Sequence, residues 1–586
     1  MKITMKFIIA GLHISPLFAA DVPVTANITA NTTWTSDNTY IIRKPIFITN
    51  NATLTIEPGT TILGGRAQDT STTPATTTFG SLIATRGAKL IADGTLAKPI
   101  VFTAIEERDG GVDGDPSIFP DPALGDASFW GGIIMLGNAQ VNRITGSAND
   151  GEARIEGFPN SGDPLLTTYG GGATPNNADN SGILRYVSIR FGGFEFAANN
   201  EINGLTLGGV GNGTIIENVE VISNSDDGVE FFGGTVNTKR IAVAFCQDES
   251  FDIDQGHSGF HQFWFSIQND NPSLGDYGGE WDGGNGDSIS LPPFALTKIY
   301  NMTMLGTGST AVGSIDDGIQ VSDNFAGTLA NSVIHDFNGV ALSNTGDGVG
   351  SPKPTFLNNT WGTFAGGAGI VPNIGGAGAA DPAGSGNVSG TDPLLRGISR
   401  TPVGALDPRP ADNSPLLGAT LAAFPADAPP GFFETVDYRG AFGTAESCNW
   451  LRGWSYLSRA GYLGADDVEV TANITANTTW TSDNTYIIRK PIFITNNATL
   501  TIEPGTTILG GRAQDTSTTP ATTTFGSLIA TRGAKLIADG TLAKPIVFTA
   551  IEERDGGVDG DPSIFPDPAL GDASFWAASS CSETPR

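Results

Sequence analysis

Cysteine, histidine and methionine are scarce in this 586-residue chain, at three, four and five residues. Cys246, Cys448 and Cys581 cannot build a disulfide framework, and their separations match no zinc-ligand spacing. Four histidines leave no histidine-rich metal site. Charge is sparse at 16% and lopsided, with 31 Lys and Arg against 61 Asp and Glu, a net charge of −30. So little charge excludes a coiled-coil composition. So acidic a surface repels nucleic acid and anionic lipid, and an acidic polymer would need a local basic patch or a bridging cation. No apolar run beyond the N-terminus is long enough to span a bilayer. No G-x-S-x-G elbow and no P-loop is present.

Glycine is plentiful at 78 residues, with Asn, Asp and Thr also common, a mixture that suits many short strands joined by tight turns. The first residues carry Lys2 and Lys6, then an apolar stretch from Phe7 to Leu17, then Ala19 and Ala20. That order reads as a secretory signal over residues 1–20, so the protein is expected outside the cell or on its outer surface. The bland alternative is a buried first strand.

Two repeats organise the rest. Val24 to Trp130 returns unchanged as Val470 to Trp576, exposed turns such as Gln68-Asp69-Thr70 included. Packing would not conserve such turns, so the identity records a copying or assembly event. After Trp130 a strand-like Gly-Gly-Ile-Ile-Met-Leu follows, whereas after Trp576 comes AASSCSETPR, with no strand pattern. The second repeat is finer. Val219-Glu220-Val221, Ile241 to Phe245 and Phe263 to Ile267 alternate and align at a step of 22 residues. The turns share the step, since Ser225-Asp226-Asp227-Gly228-Val229-Glu230 aligns with Gln247-Asp248-Glu249-Ser250-Phe251-Asp252. A short period of strands and turns means a coil that stacks on itself around one continuous core. The fold expected is all-β, a right-handed parallel β-helix over 21–395. Residues 396–465 follow as a C-terminal cap with Trp450, Leu451, Trp454, Leu457 and Tyr462 as its lid. Residues 466–576 are then a duplicated partial N-terminal segment and 577–586 an unstructured tail.

Three stretches carry a resemblance: NNATLTIEPGTTILGG, LTLGGVGNGTIIENVEVISNSDDGVEFFGG, and YRGAFGTAESCNWLRGWSYLSRAGYLG. Over residues 24 to 464 the chain resembles large secreted bacterial parallel β-helix proteins of the pectate-lyase-like superfamily. The resemblance implies the fold and export, and a solenoid that ends near Gly464. It implies no particular reaction.

The chemistry expected sits on an acidic face. Asp226, Asp248 and Asp270 fall at successive 22-residue steps, Glu230 and Asp252 form a second column, and Asp227 and Glu249 a third. Rungs about 4.8 Å apart would crowd these charges, and calcium is their natural counter-ion. The alternative reading is that they are solvated turns of an acidic surface. Gly228, Gly256, Gly278 and Gly279 would let backbone approach the ion. Trp264, read as pointing outward, with Tyr277 and Trp281 offers an aromatic platform for a sugar; alternatively Trp281 covers Trp264 as a small core. Asn218, Asn301 and Asn331 fall at equivalent corners and serve packing. The reading is a non-catalytic, monomeric, surface or secreted solenoid that binds glycans or surfaces. The alternative is a calcium-dependent lyase of acidic polysaccharide, with Asp226, Asp248 and Asp252 on the metal and Arg240, read in register with Asn218 and Gln262, as base. A glycoside hydrolase fits less well: Asp226-Asp227 could serve as its Asp pair, but no Asp stands one rung earlier, near Thr206, and one rung later stands Asp248 instead of a His-Gly. His257 and His261 are out of that register.

Overall fold

The computed structural model describes residues 20–69, 76–109, 126–145, 148–149, 151–155, 158, 163–195, 202–284, 292–344, 354–365, 385–402, 404–464, 466–482, 484–515, 522–540, 545–550 and 580–581. Of the expected signal segment only Ala20 lies among them. The chain divides into two compact units. One is Met1–Arg396 with Pro408–Trp450, the other Gly397–Asp407 with Leu451–Arg586.

The first unit is a parallel β-helix, right-handed as parallel crossovers are. One face is a nine-stranded sheet that includes Pro45–Ile48, Ile133–Leu136, Leu205–Gly208, Val229–Phe232, Phe251–Asp254, Gly279–Asp282 and Ile319–Ser322. The remaining wall is a larger sheet in which Gly182–Arg190, Ile215–Ile222, Asn237–Ala244 and Phe260–Ile267 stack in order, every pairing parallel. Each coil buries its inward row. Val219, Val221, Ile241, Val243, Phe231 and Ile253 are all at most 1% exposed. Full burial of such side chains contributes roughly 1.5–3 kcal/mol each, which is why no helical layer is needed.

From Gly182–Arg190 onward the larger sheet bends once per coil, at a residue in the left-handed region. Down the stack these are Tyr186, Asn218, Arg240, Phe263, Asn301, Asn331 and Asn358, with φ between 48° and 60°. Asparagine takes this conformation at modest cost. Tyr186, Arg240 and Phe263 hold it because the hydrogen-bonded strands on both sides leave no other course.

This column corrects the uniform 22-residue step. Val219 pairs with Ile241, but Ile241 pairs with Trp264, not Phe263. Arg240 therefore shares its corner with Asn218 and Phe263, while Gln262 pairs with Lys239. The cause lies in the preceding turn. Phe232 still pairs with Asp254, so the extra residue falls in Gln255 to Gly259, one longer than Gly233 to Val236. The slip turns Trp264 inward. It is fully buried, stacked on Phe251 at 4.3 Å and Phe231 at 5.5 Å.

The same turn buries both histidines, and their hydrogen bonds form one chain with a single consistent set of proton positions. His257 Nδ1 can only donate to the Gly233 carbonyl, at 2.8 Å. A neutral His257 then accepts at Nε2 from His261 Nε2, at 3.0 Å. His261 Nδ1 accepts from the Thr238 hydroxyl, at 2.9 Å, and that oxygen accepts from Trp264 Nε1, at 2.8 Å. Burial lowers His257 to about 4 and pushes His261 well below the usual imidazole range.

Within residues 396–465, the stretch 422–442 lies along the side of the rungs. Its two ends are anchored at the left-handed column. Ala422 N–H donates to Asn331 Oδ1 at 2.7 Å, and Asn331 Nδ2 returns a bond to the Ala422 carbonyl at 3.1 Å. Asn301 Nδ2 donates to the Tyr438 carbonyl at 3.1 Å, and Gly440 N–H to the Asn331 carbonyl at 2.8 Å. Arg439, 4% exposed, donates to the Asn359, Gly386 and Thr420 carbonyls. The corner asparagines thus hold this strap.

The second unit repeats the opening coils. Trp480 stacks on Tyr486 at 4.4 Å as Trp34 does on Tyr40 at 4.5 Å. Burial differs despite identical sequence. Phe79 is 3% exposed and Phe525 40%, Phe47 7% and Phe493 36%. In the first unit Phe158 packs on both Phe47 and Phe79, and Phe194 stacks on Phe79 at 4.3 Å. No counterpart of Phe158 or Phe194 follows Trp576 in the sequence. Ser580–Cys581, expected within an unstructured tail, pair with Ile529–Ala530, which Phe493–Ile494 flank on the other side. Also in this unit, Leu451, Trp454 and Leu457 are fully buried, beside a short helix Tyr456–Arg459 capped by Ser455.

Candidate metal-binding acidic corner

The turns that lead into the nine-stranded sheet carry Asp226 and Asp227, then Asp248 and Glu249. The strands that follow place Glu230, Asp252, Glu280 and Gln320 in one outward row, in direct register. Besides backbone bonds from Gln247 N–H to the Asn224 carbonyl at 2.8 Å and from Gly228 N–H to the Glu249 carbonyl at 2.9 Å, a side chain ties adjacent turns: Glu249 N–H donates to Asp227 Oδ1 at 3.1 Å. Asn224 fixes the first turn by donating to the Ile202 and Asp227 carbonyls. Asn203 donates to Glu230, Gln320 to Glu280, and Ser322 to Asp282.

Three carboxylate trios result: Asp226, Asp227 and Asp248; Asp227, Glu230 and Asp252; Asp248, Glu249 and Asp276. Within each, one oxygen per residue lies within 4.8 Å of the others. Ligands at calcium's usual 2.3–2.6 Å stand at most about 5 Å apart, so each trio has the span of one shared cation. The electrostatics agree. Burial pushes Asp227 well above the usual carboxylate range, and the charges that add to it are Asp252, Glu249, Asp226 and Glu230. Glu249 and Asp252 are raised in the same way, first by burial and then by neighbouring carboxylates. Burial also raises Asp276 to about 6 and Asp282 to about 7. Carboxylates packed this way cannot all ionise without a compensating charge. These clusters can bind a metal.

Six of the seven acidic residues picked from the sequence fall in these trios. Asp270 does not. It is exposed, because the segment Gln268 to Gly278 lengthens this coil and breaks the 22-residue step, and Asp276 takes the third position. Glu280 and Asp282 were also missed. The alternation Gly279-Glu280-Trp281-Asp282 matches Phe251-Asp252-Ile253-Asp254 and carried the signal. Gly228 serves the core rather than an ion, since a Cβ there would stand 2.3 Å from a Val243 methyl.

The aromatic platform is corrected. Trp264 and Trp281 are both fully buried, and Trp281 packs on Phe325 inside the coil, so neither offers a face to a sugar. Tyr277 remains half-buried, its phenol raised to about 12 by burial and by Asp276 and Asp317. Arg240 stands at the bend of the larger sheet, a different corner from the acidic turns. It bonds Glu217 at 3.1 Å and Glu434 at 2.5 Å. Cys246 is buried, its thiol raised to about 12, and Cys246 and Cys448 are free thiols.

The fold agrees with the family comparison. The pectate-lyase-like beta helix domain family matches residues 26–354 and again 472–560, and the chain belongs to that family. Among solved structures it is similar to an arginine-to-alanine mutant of the PL6-family alginate lyase AlyGC, at 9% identity and a TM-score of 0.24, covering 90% of this chain and 72% of that one. So loose a likeness transfers no chemistry. No curated protein matches the chain. Among the described residues no helix is long and apolar enough to cross a membrane.

Proposed function

We propose that this is an exported, non-catalytic β-helix whose acidic corner binds calcium and which presents its surface to glycans. The observation that supports it most is the set of three trios stacked on successive coils, with Asp227 and Asp248 each shared by two of them. Shared ligands would let bound calcium clamp one coil to the next. The export reading rests on the order of parts in residues 1–20. Arg240 as a lyase base has less support: it is committed to two carboxylates and stands at another corner from the acids.

Calorimetric titration of the secreted chain with calcium, and with magnesium as control, tests the metal. Saturable calcium binding that Asp227→Asn weakens is expected, and its absence ends the proposal. Incubation with a panel of acidic and neutral polysaccharides, followed for unsaturated products and reducing ends, tests the rest. Binding without product is expected; calcium-dependent product would restore the lyase alternative.

A further inference from the structure

Two copies of one sequence differ in what covers them. In the first unit Lys89–Asp93 has a strand on each side, Thr53–Ile56 from the preceding coil and Gly182–Arg190 from the following one. The following strand sets Ile183 beside Ile91 and Arg185 beside Asp93, and Arg185 Nη1 pairs with the Asp93 carboxylate at 2.6 Å. Leu90, Ile100 and Phe102 are fully buried there. In the second unit Lys535–Ala538 pairs with Thr499–Ile502 alone among the described residues, and Val547–Ala550 with Thr507–Gly510 alone. Leu536, Ile546 and Phe548 are only partly buried, and Ile537 is 44% exposed. Lys535 and Asp539 are exposed, and among the described residues no ion pair reaches Asp539.

The backbone of this edge has a fixed register. In the first unit Lys89 N–H donates to the Ala52 carbonyl of the preceding coil and Leu90 N–H to the Ser181 carbonyl of the following one. Lys535 N–H donates to the Ala498 carbonyl in the same way as Lys89. Backbone groups alternate along a strand, so Leu536 and Ala538 direct theirs at the uncovered edge and Ile537 does not. Such an edge is a template for another strand. The segment Lys535-Leu536-Ile537-Ala538-Asp539 is its own complement when a second copy lies against it antiparallel, centred on Ile537. Leu536 and Ala538 then exchange both backbone bonds with the partner's Ala538 and Leu536. Ile537 faces the partner's Ile537 as a non-hydrogen-bonded pair, with Cα atoms about 4.5 Å apart. Lys535 falls opposite the partner's Asp539, and Asp539 opposite the partner's Lys535. An isoleucine and a cation thus return to the places that Ile183 and Arg185 fill in the first unit. The N-terminal end of the first unit is a poorer match. Its outermost strand, Ala20–Val24, turns Ala20 N–H inward to the Asp37 carbonyl, so alternation sets Pro23, which has no N–H, at the outer edge.

We propose that the uncovered end of the second unit is an interaction surface for a second copy of this chain, and that the protein is a two-fold dimer joined at Lys535–Asp539 in place of the monomer expected from the sequence. The two-fold brings the partly buried Leu536, Ile546 and Phe548 of both copies to one interface. The same patch serves both partners, so the contact closes on itself and does not propagate.

The test uses the full secreted chain, its mass in solution followed by sedimentation over a range of concentrations. A dimer is expected. Asp539→Lys sets lysine against lysine at both ends of the pairing and is expected to weaken the dimer about tenfold, since two attractive cross-strand pairs turn repulsive at once. Adding Lys535→Asp restores opposite charges with their signs exchanged and is expected to restore the dimer. Both side chains are exposed, so the melting temperature of the monomer should stay native in each variant. In a background of Cys448→Ser and Cys581→Ser, Ile537→Cys is expected to oxidise to a covalent dimer, because the paired Cα atoms lie within disulfide reach. A chain that is monomeric at every concentration, a dimer indifferent to Asp539→Lys, a charge-exchanged variant that stays apart, or an assembly that grows past two copies overturns the proposal.

Discussion

Asp227 Oδ1 accepts the backbone N–H of Glu249 from the next coil, at 3.1 Å, and so holds the acidic turns of two coils together. The bond fixes the turns and leaves the charges to repel, and the first prediction follows from that opposition.

Asp227, Glu249 and Asp252 have carboxyls raised well above their unfolded values, with Asp276 near 6 and Asp282 near 7. A raised carboxyl gives its full stability below the unfolded value, about 4, and loses it as pH climbs through the folded value. In chelator, the contribution of Asp276 and Asp282 is expected to fall between about pH 4 and 7, most steeply in the middle of that window, and the three more strongly raised carboxyls carry the loss to higher pH. Calcium should restore stability at pH 7 and do nothing at pH 4. Melting curves across pH, with and without calcium, check this. A melting temperature indifferent to calcium at pH 7 would sink it.

Asp227→Asn should act in opposite senses in the two conditions. Without calcium it removes a buried like charge and is expected to raise the melting temperature; with calcium it removes a shared ligand and is expected to shrink the gain. A variant that is less stable in both conditions would mean that Asp227 serves only its turn.

His257 and His261 titrate with the other sign. Their folded values lie below the unfolded value near 6.5, so their contribution is intact above that pH and fades as pH falls toward 4. The sharper check is tautomeric. Nitrogen NMR at pH 7 should find the proton on Nδ1 of His257 and on Nε2 of His261; the reverse assignment would break the chain from Gly233 to Trp264.

Identical residues should give different costs in the two copies. Phe79→Ala removes a buried ring and is expected to cost about 3–5 kcal/mol, the usual range for such a core truncation. Phe525→Ala, with 40% of the residue in water, should cost well under half as much. Denaturant unfolding of each single variant decides, and equal costs would mean the second copy is covered in solution.

The coil, its parallel sheets and most of the acidic columns were legible in the sequence because alternation and a near-constant step repeat on every rung. The misplacements of Trp264 and Asp270 share one physical origin. A period read from three strands assumes turns of equal length, and one extra residue in Gln255 to Gly259 was enough to turn Trp264 from the core to the surface on paper. The longer Gln268 to Gly278 segment likewise exchanged Asp270 for Asp276. Arg240 is a different case: besides Glu217 on the adjoining coil its partner is Glu434, which arrives from nearly two hundred residues away, where no local pattern announces it.

That five-residue turn carries a wider lesson about how such a molecule tolerates change. On one side of the coil the spacing from Val229 to Phe251 is 22, while on the other the spacing from Thr238 to His261 is 23, and the two coexist within adjoining coils. The repeat length therefore belongs to each corner separately. An insertion at one bend is absorbed before the chain reaches the next wall, so this scaffold can gain or lose loop residues during evolution without disturbing the strands above or below.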